Sequence, residues 1–217
     1  MTHTMRITEL AYKRKRGQGL VEVAFDDGSV LAVDAELSVV HKLARGMDLS
    51  ADALEALRRD QHRLEARQRL VRHLALRRKT RRECELYLRR LGFDADAVEG
   101  ALEKAAALGM IDDQGYAEAY TRTRQRGARK GPRAIRYELL QRGVDRDTAE
   151  RAVRPAAGRD AQLEGARAAA ARKAASLAGD PRARAKLAQF LMRRGYDADV
   201  AAEVARAMPG GDDEGEE

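Results

Sequence analysis

Apolar residues recur at helical spacing along most of the chain, and three of these stripes end at a glycine. The glycines are Gly92, Gly143 and Gly195, which are 51 and 52 residues apart. Apolar residues stand four and eight positions before each of them: Leu88 and Cys84, Leu139 and Ile135, Leu191 and Leu187. Positions four apart share one face of a helix. The equal spacing therefore predicts one supersecondary unit used three times in tandem.

The residues after each glycine predict where the next helix begins. Glycine adopts the left-handed conformation that ends a helix without a side-chain clash. An apolar residue follows, then an aspartate that can cap a new helix, and a second aspartate in its first turn, where the helix dipole favours an anion. The six carboxylates are those of Asp94, Asp96, Asp145, Asp147, Asp197 and Asp199. We interpret all six as capping residues rather than as acid/base pairs or metal ligands.

The first 34 residues have a different pattern, rich in β-branched and apolar residues. Residues 5–14, 20–25 and 30–34 are predicted strands of a small antiparallel sheet with about three strands. Residues 26–29 read Asp-Asp-Gly-Ser, which is typical of a hairpin turn. The basic residues 13–17 predict the other turn.

Between the sheet and the repeats, the pattern predicts a short helix over residues 35–45 that stops at Gly46. Ser50 then caps a helix from residue 51 to about residue 77, with a break near 59–63. Thr80 and Glu83 have the spacing of a capping box. Pro132 fits the first position of a later helix. Pro155 and Gly158 are expected to separate the second and third repeats.

In the third repeat, the first helix is predicted over residues 161–178. Asp180 and Pro181 are then expected to form the cap and first turn of the next helix.

The predicted fold class is mainly α, with three tandem three-helix repeats in an elongated, curved row, preceded by a small antiparallel β-sheet or hairpin region. Five segments are expected. They are an N-terminal β-rich region with a short helix (1–48), a linking helix with the first repeat (49–109), the second repeat (110–156), the third repeat (157–208) and a disordered acidic tail (209–217).

The charge of the chain predicts a polyanionic partner. The net charge is +7, and the tail holds five acids and no base, so the remainder carries +12 (7 + 5). Arginine outnumbers lysine 34 to 8 and alanine is abundant. Part of the basicity is therefore also explained by the codon usage of a GC-rich genome.

The candidate contact residues form two basic clusters at equivalent connections between helices. They are Arg77, Arg78, Lys79, Arg81 and Arg82 in the first, and Arg122, Arg124, Arg126, Arg129, Lys130, Arg133 and Arg136 in the second. The second cluster holds seven bases and no acid over fifteen residues, which favours an anionic neighbour. The alternative is a solvated loop that binds nothing. Tyr120 and Tyr137 could stack bases, but their helical spacing favours packing in the core.

The sequence carries no recognisable catalytic chemistry. It has no glycine-rich phosphate loop, no supported Ser/His/Asp arrangement and no metal-ligand pair, so neither a cofactor nor a metal is expected. The single cysteine, Cys84, lies on an apolar stripe and is predicted to be buried, and no disulfide can form within the chain. Without a signal peptide or an apolar run of membrane-spanning length, the protein is expected in the cytoplasm, with no membrane partner.

Several segments, in this order and spacing, resemble the RecX family. They are residues 109–117 (Gly-Met-Ile-Asp-Asp-Gln-Gly-Tyr-Ala), Arg122-Thr-Arg124, residues 130–139 from Lys-Gly-Pro to Glu-Leu, and Arg142-Gly-Val144. Residues 81–83, 88 and 91–93 match in the first repeat, as do Ile7-Thr8 and 26–28 in the β-region. Gly115, the strongly basic run 127–131 and the acidic tail depart from the family pattern.

The resemblance implies a non-enzymatic regulator of the RecA recombinase. Such proteins bind RecA filaments on single-stranded DNA in the filament groove and lower the ATPase, strand-exchange and co-protease activities. The implied partners are the RecA filament and DNA, single-stranded or double-stranded, and the implied state is a monomer. The main alternative is a helical protein that binds DNA directly and without sequence preference. An enzyme is the third alternative, and no catalytic constellation supports it.

Overall fold

The structure is a computed structural model that describes residues 4–15 and 18–207. The predicted basic turn at 13–17 therefore lies partly outside the described residues, and the acidic tail lies wholly outside them. The chain forms two compact units. The first holds residues 1–76 and 85–108, and the second holds residues 77–84 and 109–217.

The first unit contains an antiparallel sheet of four strands. They are β1 (Thr4–Lys15), β2 (Gln18–Phe25), β3 (Val30–Asp34) and β4 (Asp48–Ser50), in the spatial order β3-β2-β1-β4. The three predicted strands are confirmed. The fourth strand was missed because it has only three residues and its last residue is also the cap of the next helix.

The helices of the first unit are α1 (Ala35–Val40), α2 (Ala51–Leu74) and α4 (Ala95–Ala107), together with the end of α3 (Arg81–Arg90), which begins in the second unit. In the first unit, α1 and α2 pack against this sheet, and α2 also packs against α4. The helix α1 ends five residues earlier than predicted, because the chain leaves helical geometry at Lys42, where φ is +49°. Ser50 caps α2 as expected, accepting from the Ala53 amide at 3.2 Å. The predicted break near 59–63 is wrong, since α2 is continuous.

The second unit contains six complete helices among the described residues. They are α5 (Asp113–Arg126), α6 (Pro132–Gln141), α7 (Arg146–Ala157), α8 (Arg159–Ala175), α9 (Ala183–Arg193) and α10 (Ala198–Arg206). One buried cluster joins α5, α6 and α7 and another joins α8, α9 and α10, which gives two three-helix domains.

Two boundaries in the second unit differ from the prediction. Pro155 lies inside the last turn of α7, where few backbone bonds remain for it to interrupt, so Gly158 alone separates α7 from α8. The helix α9 begins at Ala183, because Asp180 accepts from the Arg182 amide at 2.8 Å and holds a turn before the helix.

The repeated motif is confirmed at its helix ends. Gly92, Gly143 and Gly195 have φ of +87°, +76° and +90°. In each copy, the backbone amide of the residue after the glycine donates to a leucine carbonyl at 3.1–3.3 Å. This leucine lies four residues before the glycine. This is the Schellman arrangement. The three leucines are fully buried, so the predicted stripe faces the core.

The capping interpretation holds for two copies of the motif and is wrong for the third. Asp94 and Asp145 accept from backbone amides three residues on, at 2.8 and 2.9 Å. The Asp197 side chain makes no such bond. It accepts from the Gln162 amide group at 2.8 Å and pairs with Arg133 at 2.6 Å instead. A side chain from α8 of the same domain and one from the preceding domain therefore take the place of the local cap.

Cys84 is buried as predicted, and we expect its thiol to be unreactive in the folded chain. Burial, with smaller contributions from Glu83 and Asp113, raises the pKa of the thiol to about 11. The thiolate is the reactive form, so at about pH 8 a disulfide reagent should modify Cys84 far more slowly before unfolding in urea than after it. Equal rates in the two states would contradict the burial.

Candidate polyanion-binding surface

The first basic cluster divides into an exposed pair and residues engaged by the fold. Arg77 and Arg78 are exposed, while Lys79 is 8% exposed. The backbone amide of Arg81 donates to Asp113 at 2.9 Å. The side-chain carbons of Arg82 lie directly against Gly143. Arg82 is also exposed, but its side chain is packed on Gly143, so within the described residues Arg77 and Arg78 are the exposed cations of this cluster whose side chains form no hydrogen bond or ion pair.

A joint between helix ends, here called the first joint, explains why the rest of the cluster is engaged. Thr80 and Glu83 form the predicted capping box, with amide-to-side-chain distances of 3.2 and 3.1 Å. The Thr80 hydroxyl then donates to the Arg142 carbonyl at 2.7 Å, and the Arg142 guanidinium pairs with Glu83 at 2.9 Å. The start of α3 is thereby tied to the end of α6.

The second joint repeats this arrangement one domain later. The Gly131 amide donates to the Arg194 carbonyl at 2.8 Å, and the Arg133 amide donates to the Gly195 carbonyl at 3.1 Å. The start of α6 is thus tied to the end of α9. The approach requires glycine, because a Cβ at Gly131 would overlap the backbone of Gly195 and Tyr196.

The second basic cluster is largely neutralised by acids from other parts of the chain. The ion pairs are Arg122 with Glu118 at 4.0 Å, Arg124 with Glu138 at 3.1 Å, Lys130 with Glu138, Arg133 with Asp197 at 2.6 Å, and Arg136 with Glu150 at 3.7 Å. The absence of acids from residues 122–136 therefore overstates the free charge. Glu118 is one helical turn from Arg122 on α5, but the tertiary structure brings the other three carboxylates to their partners.

Glu138 is the centre of the largest of these groups. The Tyr120 hydroxyl donates to Glu138 at 2.5 Å, and Lys130 and Arg124 pair with the same carboxylate. Burial opposes ionisation of Glu138, but the hydrogen bonds from Lys130 and Tyr120 hold its pKa below the usual value. The guanidiniums of Arg124 and Arg142 lie 4.8 and 5.1 Å from the centre of the Tyr120 ring.

The two tyrosines considered for base stacking have different environments. Tyr120 packs against the core of the second domain, as its spacing predicted. Tyr137 is 63% exposed, so the expectation that it packs in the core is wrong. It belongs to α6, on the same helix as Arg133 and Arg136.

A basic cleft lies at the second joint. The sequence predicted only some of the residues that line it. The cleft has a volume of about 700 Å³ and is bordered by the α5–α6 connection, the second half of α8 and the end of α9. Its cations are Arg129, Lys130, Arg172, Lys173, Arg193 and Arg194. No acidic residue lines it among the described residues. The first two cations belong to the predicted cluster.

Two of these arginines connect the walls of the cleft. Arg129 donates to the Ala168 carbonyl at 2.5 Å, and Arg194 donates to the Ala128 carbonyl. The Arg194 guanidinium also lies 4.8 Å from the centre of the Phe190 ring. The walls of the cleft are therefore tied to each other by two of the arginines that give it its positive charge.

Models of two RecX domains match this chain. The second three-helix domain of RecX matches residues 112–153, which correspond to α5–α7, and the third matches residues 160–204, which correspond to α8–α10. The regulatory protein RecX of Mycolicibacterium vanbaalenii is 33% identical over 167 residues, covering 72% of this chain and 88% of that protein. The chain belongs to the RecX family of regulatory proteins.

Other RecX proteins match over more of the chain. The regulatory protein RecX of Geobacillus kaustophilus is 30% identical over 204 residues, covering 91% of this chain and 75% of its own length. The crystal structure of RecX from Lactobacillus salivarius superposes with a TM-score of 0.62 at 26% identity, covering 68% of this chain and 96% of that one. Another RecX crystal structure covers 93% of this chain with a TM-score of 0.76 at 22% identity, which shows the shared fold.

Within this RecX fold, sequence reasoning missed four cations of the cleft. Arg172 and Lys173 lie on α8, and Arg193 and Arg194 lie at the end of α9, so they form two short basic pairs of the third repeat. In the third repeat the charges are interspersed with alanine, so no dense basic run marks this connection in the sequence. The signal that could have found them is the pair Arg193-Arg194 directly before the repeated glycine.

Neither a metal-binding group nor a membrane-spanning helix is found among the described residues of this RecX-family chain. No group of three His, Cys, Asp or Glu side chains in that part of the chain is placed to hold a metal ion. None of its helices is both long and apolar enough to cross a lipid bilayer. The basic surfaces are thus the candidates for function.

Proposed function

We propose that this RecX-family chain is a negative regulator of the RecA recombinase in the cytoplasm. It binds RecA filaments on single-stranded DNA, in the filament groove, and lowers their ATPase, strand-exchange and co-protease activities without being an enzyme itself. Membership of the RecX family supports the general role. The observation that carries the proposal is a set of exposed cations that the fold leaves without a carboxylate.

The proposed contact surface consists of the predicted cations that are exposed and form no ion pair within the described residues. Of the twelve predicted contact residues, Arg77, Arg78 and Arg126 are exposed and make no ion pair within the described residues. Arg124, Lys130 and Arg133 are engaged inside the second unit, where changing them would disturb the fold as well as any contact. The exposed three are therefore the residues through which an acidic RecA surface or DNA phosphates are contacted first.

The repeated joint gives this proposal a structural basis. Within the second unit, the start of α3 is tied to the end of α6, and the start of α6 is tied to the end of α9, so equivalent connections recur. A partner built from repeated subunits presents equivalent acidic groups at regular intervals. Repeated connections of this kind suit such a partner better than a single binding pocket would.

The experiment that tests the function is a titration of this protein into the single-stranded-DNA-dependent ATPase of RecA. Strong inhibition well below one regulator per RecA is expected, because a filament-bound regulator affects many subunits. Inhibition only at amounts that coat the DNA would favour the direct DNA-binding alternative. That alternative also predicts a steep salt dependence of DNA affinity with RecA absent.

The contact surface itself is tested by the combined substitutions Arg77→Gln, Arg78→Gln and Arg126→Gln. We expect the concentration for half-inhibition to rise about tenfold, since three exposed ion pairs of about 0.5 kcal/mol each correspond to that factor. The matched control removes three other exposed arginines without ion pairs, by Arg154→Gln, Arg167→Gln and Arg184→Gln. Equal losses in the two variants would show that net charge, rather than this surface, is responsible.

A further inference from the structure

The basic cleft at the second joint carries more positive charge than the fold compensates. Among the described residues, Lys130 is the only one of its six cations with a carboxylate partner, which is Glu138. Arg129 and Arg194 donate to neutral backbone carbonyls, which leave their charges in place. Arg172, Lys173 and Arg193 make no ion pair within the described part of the chain. Five positive charges (6 − 1) therefore line one cleft without an acid.

The shape of the cleft suits an extended chain. Its floor and sides include small residues: Gly127, Ala128, Ala168, Ala169 and Ser176. Such residues leave room for a backbone to lie between the arginines and lysines. Guanidinium groups bind carboxylates and phosphates in the same two-pronged way, so the geometry alone admits either anion.

The acidic tail, residues 209–217, is the anion that this chain itself supplies. It contains five carboxylates, which equals the number of uncompensated charges in the cleft: Asp212, Asp213, Glu214, Glu216 and Glu217. It follows α10, whose last buried residues Val204 and Ala205 belong to the same core cluster as Ala169 of the cleft wall. The tail thus begins on the domain that carries the cleft.

The tail is also long enough to reach the cleft. Ten residues follow Ala207, and they can span up to about 35 Å when extended. The longest helix of the third domain, α8, has 17 residues and is about 25 Å long. A tethered segment has an effective concentration in the millimolar range, which favours it over a free anion of similar affinity.

We propose that the acidic tail occupies the basic cleft of the free protein, with its carboxylates on Arg172, Lys173 and Arg193. The tail thereby covers part of the basic surface of the second and third domains, and an external polyanion that binds there must displace it. This inference goes beyond the proposed function. It concerns the protein alone and is tested without RecA, so its failure is separate from a failure of the RecA experiment.

The test places a nitroxide label on the tail of the full-length, nitrogen-15-labelled chain. Gly215→Cys supplies the attachment point, and Cys84 is buried, so the new thiol is the one modified in the folded protein. At low salt, the backbone amide signals of Arg172, Lys173 and Arg193 should be selectively lost through proximity to the label. They should return at about 1 M salt, where the Debye length falls to about 3 Å.

Two variants decide whether the cleft is responsible. Replacing its three unpaired cations, by Arg172→Gln, Lys173→Gln and Arg193→Gln, should abolish the signal loss around the cleft. The control with Arg154→Gln, Arg167→Gln and Arg184→Gln removes the same charge and should retain it. No signal loss in the native sequence, or loss spread over the whole basic surface, would overturn the proposal.

An added oligothymidylate separates the tail from a nucleic-acid ligand. If the tail occupies the cleft, the oligonucleotide should restore the lost amide signals as it displaces the label. If the oligonucleotide instead shifts those amide signals in a native chain whose label causes no loss, the cleft is an open phosphate site. That second result would also overturn the proposal.

Discussion

Leu139→Ala is expected to lower the free energy of unfolding of the second unit by about 2–5 kcal/mol. Leu139 is fully buried in the core that joins α5, α6 and α7, and its carbonyl also accepts the Schellman bond from Val144 at 3.1 Å. Truncation leaves a cavity where the three helices meet. Urea unfolding followed by circular dichroism measures the change.

The neighbouring leucine provides the control for this prediction. Leu140 is on the same helix and is 40% exposed. Leu140→Ala therefore removes the same side-chain atoms as Leu139→Ala but less buried surface. We expect it to cost less than about 1 kcal/mol. Similar costs at the two positions would mean that the apolar stripe had been assigned to the wrong face of α6.

Gly195→Ala is expected to destabilise the second unit by about 2–5 kcal/mol. The residue has φ of +90°, a conformation that costs an alanine about 1–2 kcal/mol. The new Cβ would also overlap the backbone of Ala134 at the second joint, and overpacking costs about 1–3 kcal/mol more. The same unfolding measurement applies.

Gly179→Ala separates these two costs. Gly179 lies in the third domain, has φ of +77°, and has no atom within 4 Å of an added Cβ. Its replacement should therefore cost only the conformational part, about 1–2 kcal/mol. If Gly195→Ala cost no more than Gly179→Ala, the close approach of α6 and α9 at the second joint would not contribute to stability.

The joints show why the sequence located the basic clusters but could not show which of their cations are paired with acids. The local sequence places Arg133 in a run without acids, which suggests a free cation. Its partner Asp197 lies 64 residues away (197 − 133) and was predicted to cap its own helix. A pairing of this kind depends on how two domains dock, and no local pattern encodes it.

The sequence by itself determined the elements that depend on neighbouring residues. The helix stops at the repeated glycines, the caps at Ser50 and Asp94, the capping box at Thr80 and the burial of Cys84 all follow from interactions within a few positions of the chain. Local sterics and hydrogen bonding decide these features, so periodicity and spacing were sufficient. The resemblance to the RecX family rested on the same local segments.

Only the tertiary structure decided which charges are free. In the structure, Arg124, Lys130 and Arg133 form ion pairs within the second unit, whereas Arg77, Arg78 and Arg126 are exposed. Cations from three separate segments of the chain line one cleft. The energy of a charge depends on every group within several ångströms, whatever its distance in sequence. The residues available to a partner were therefore fixed by the docking of domains.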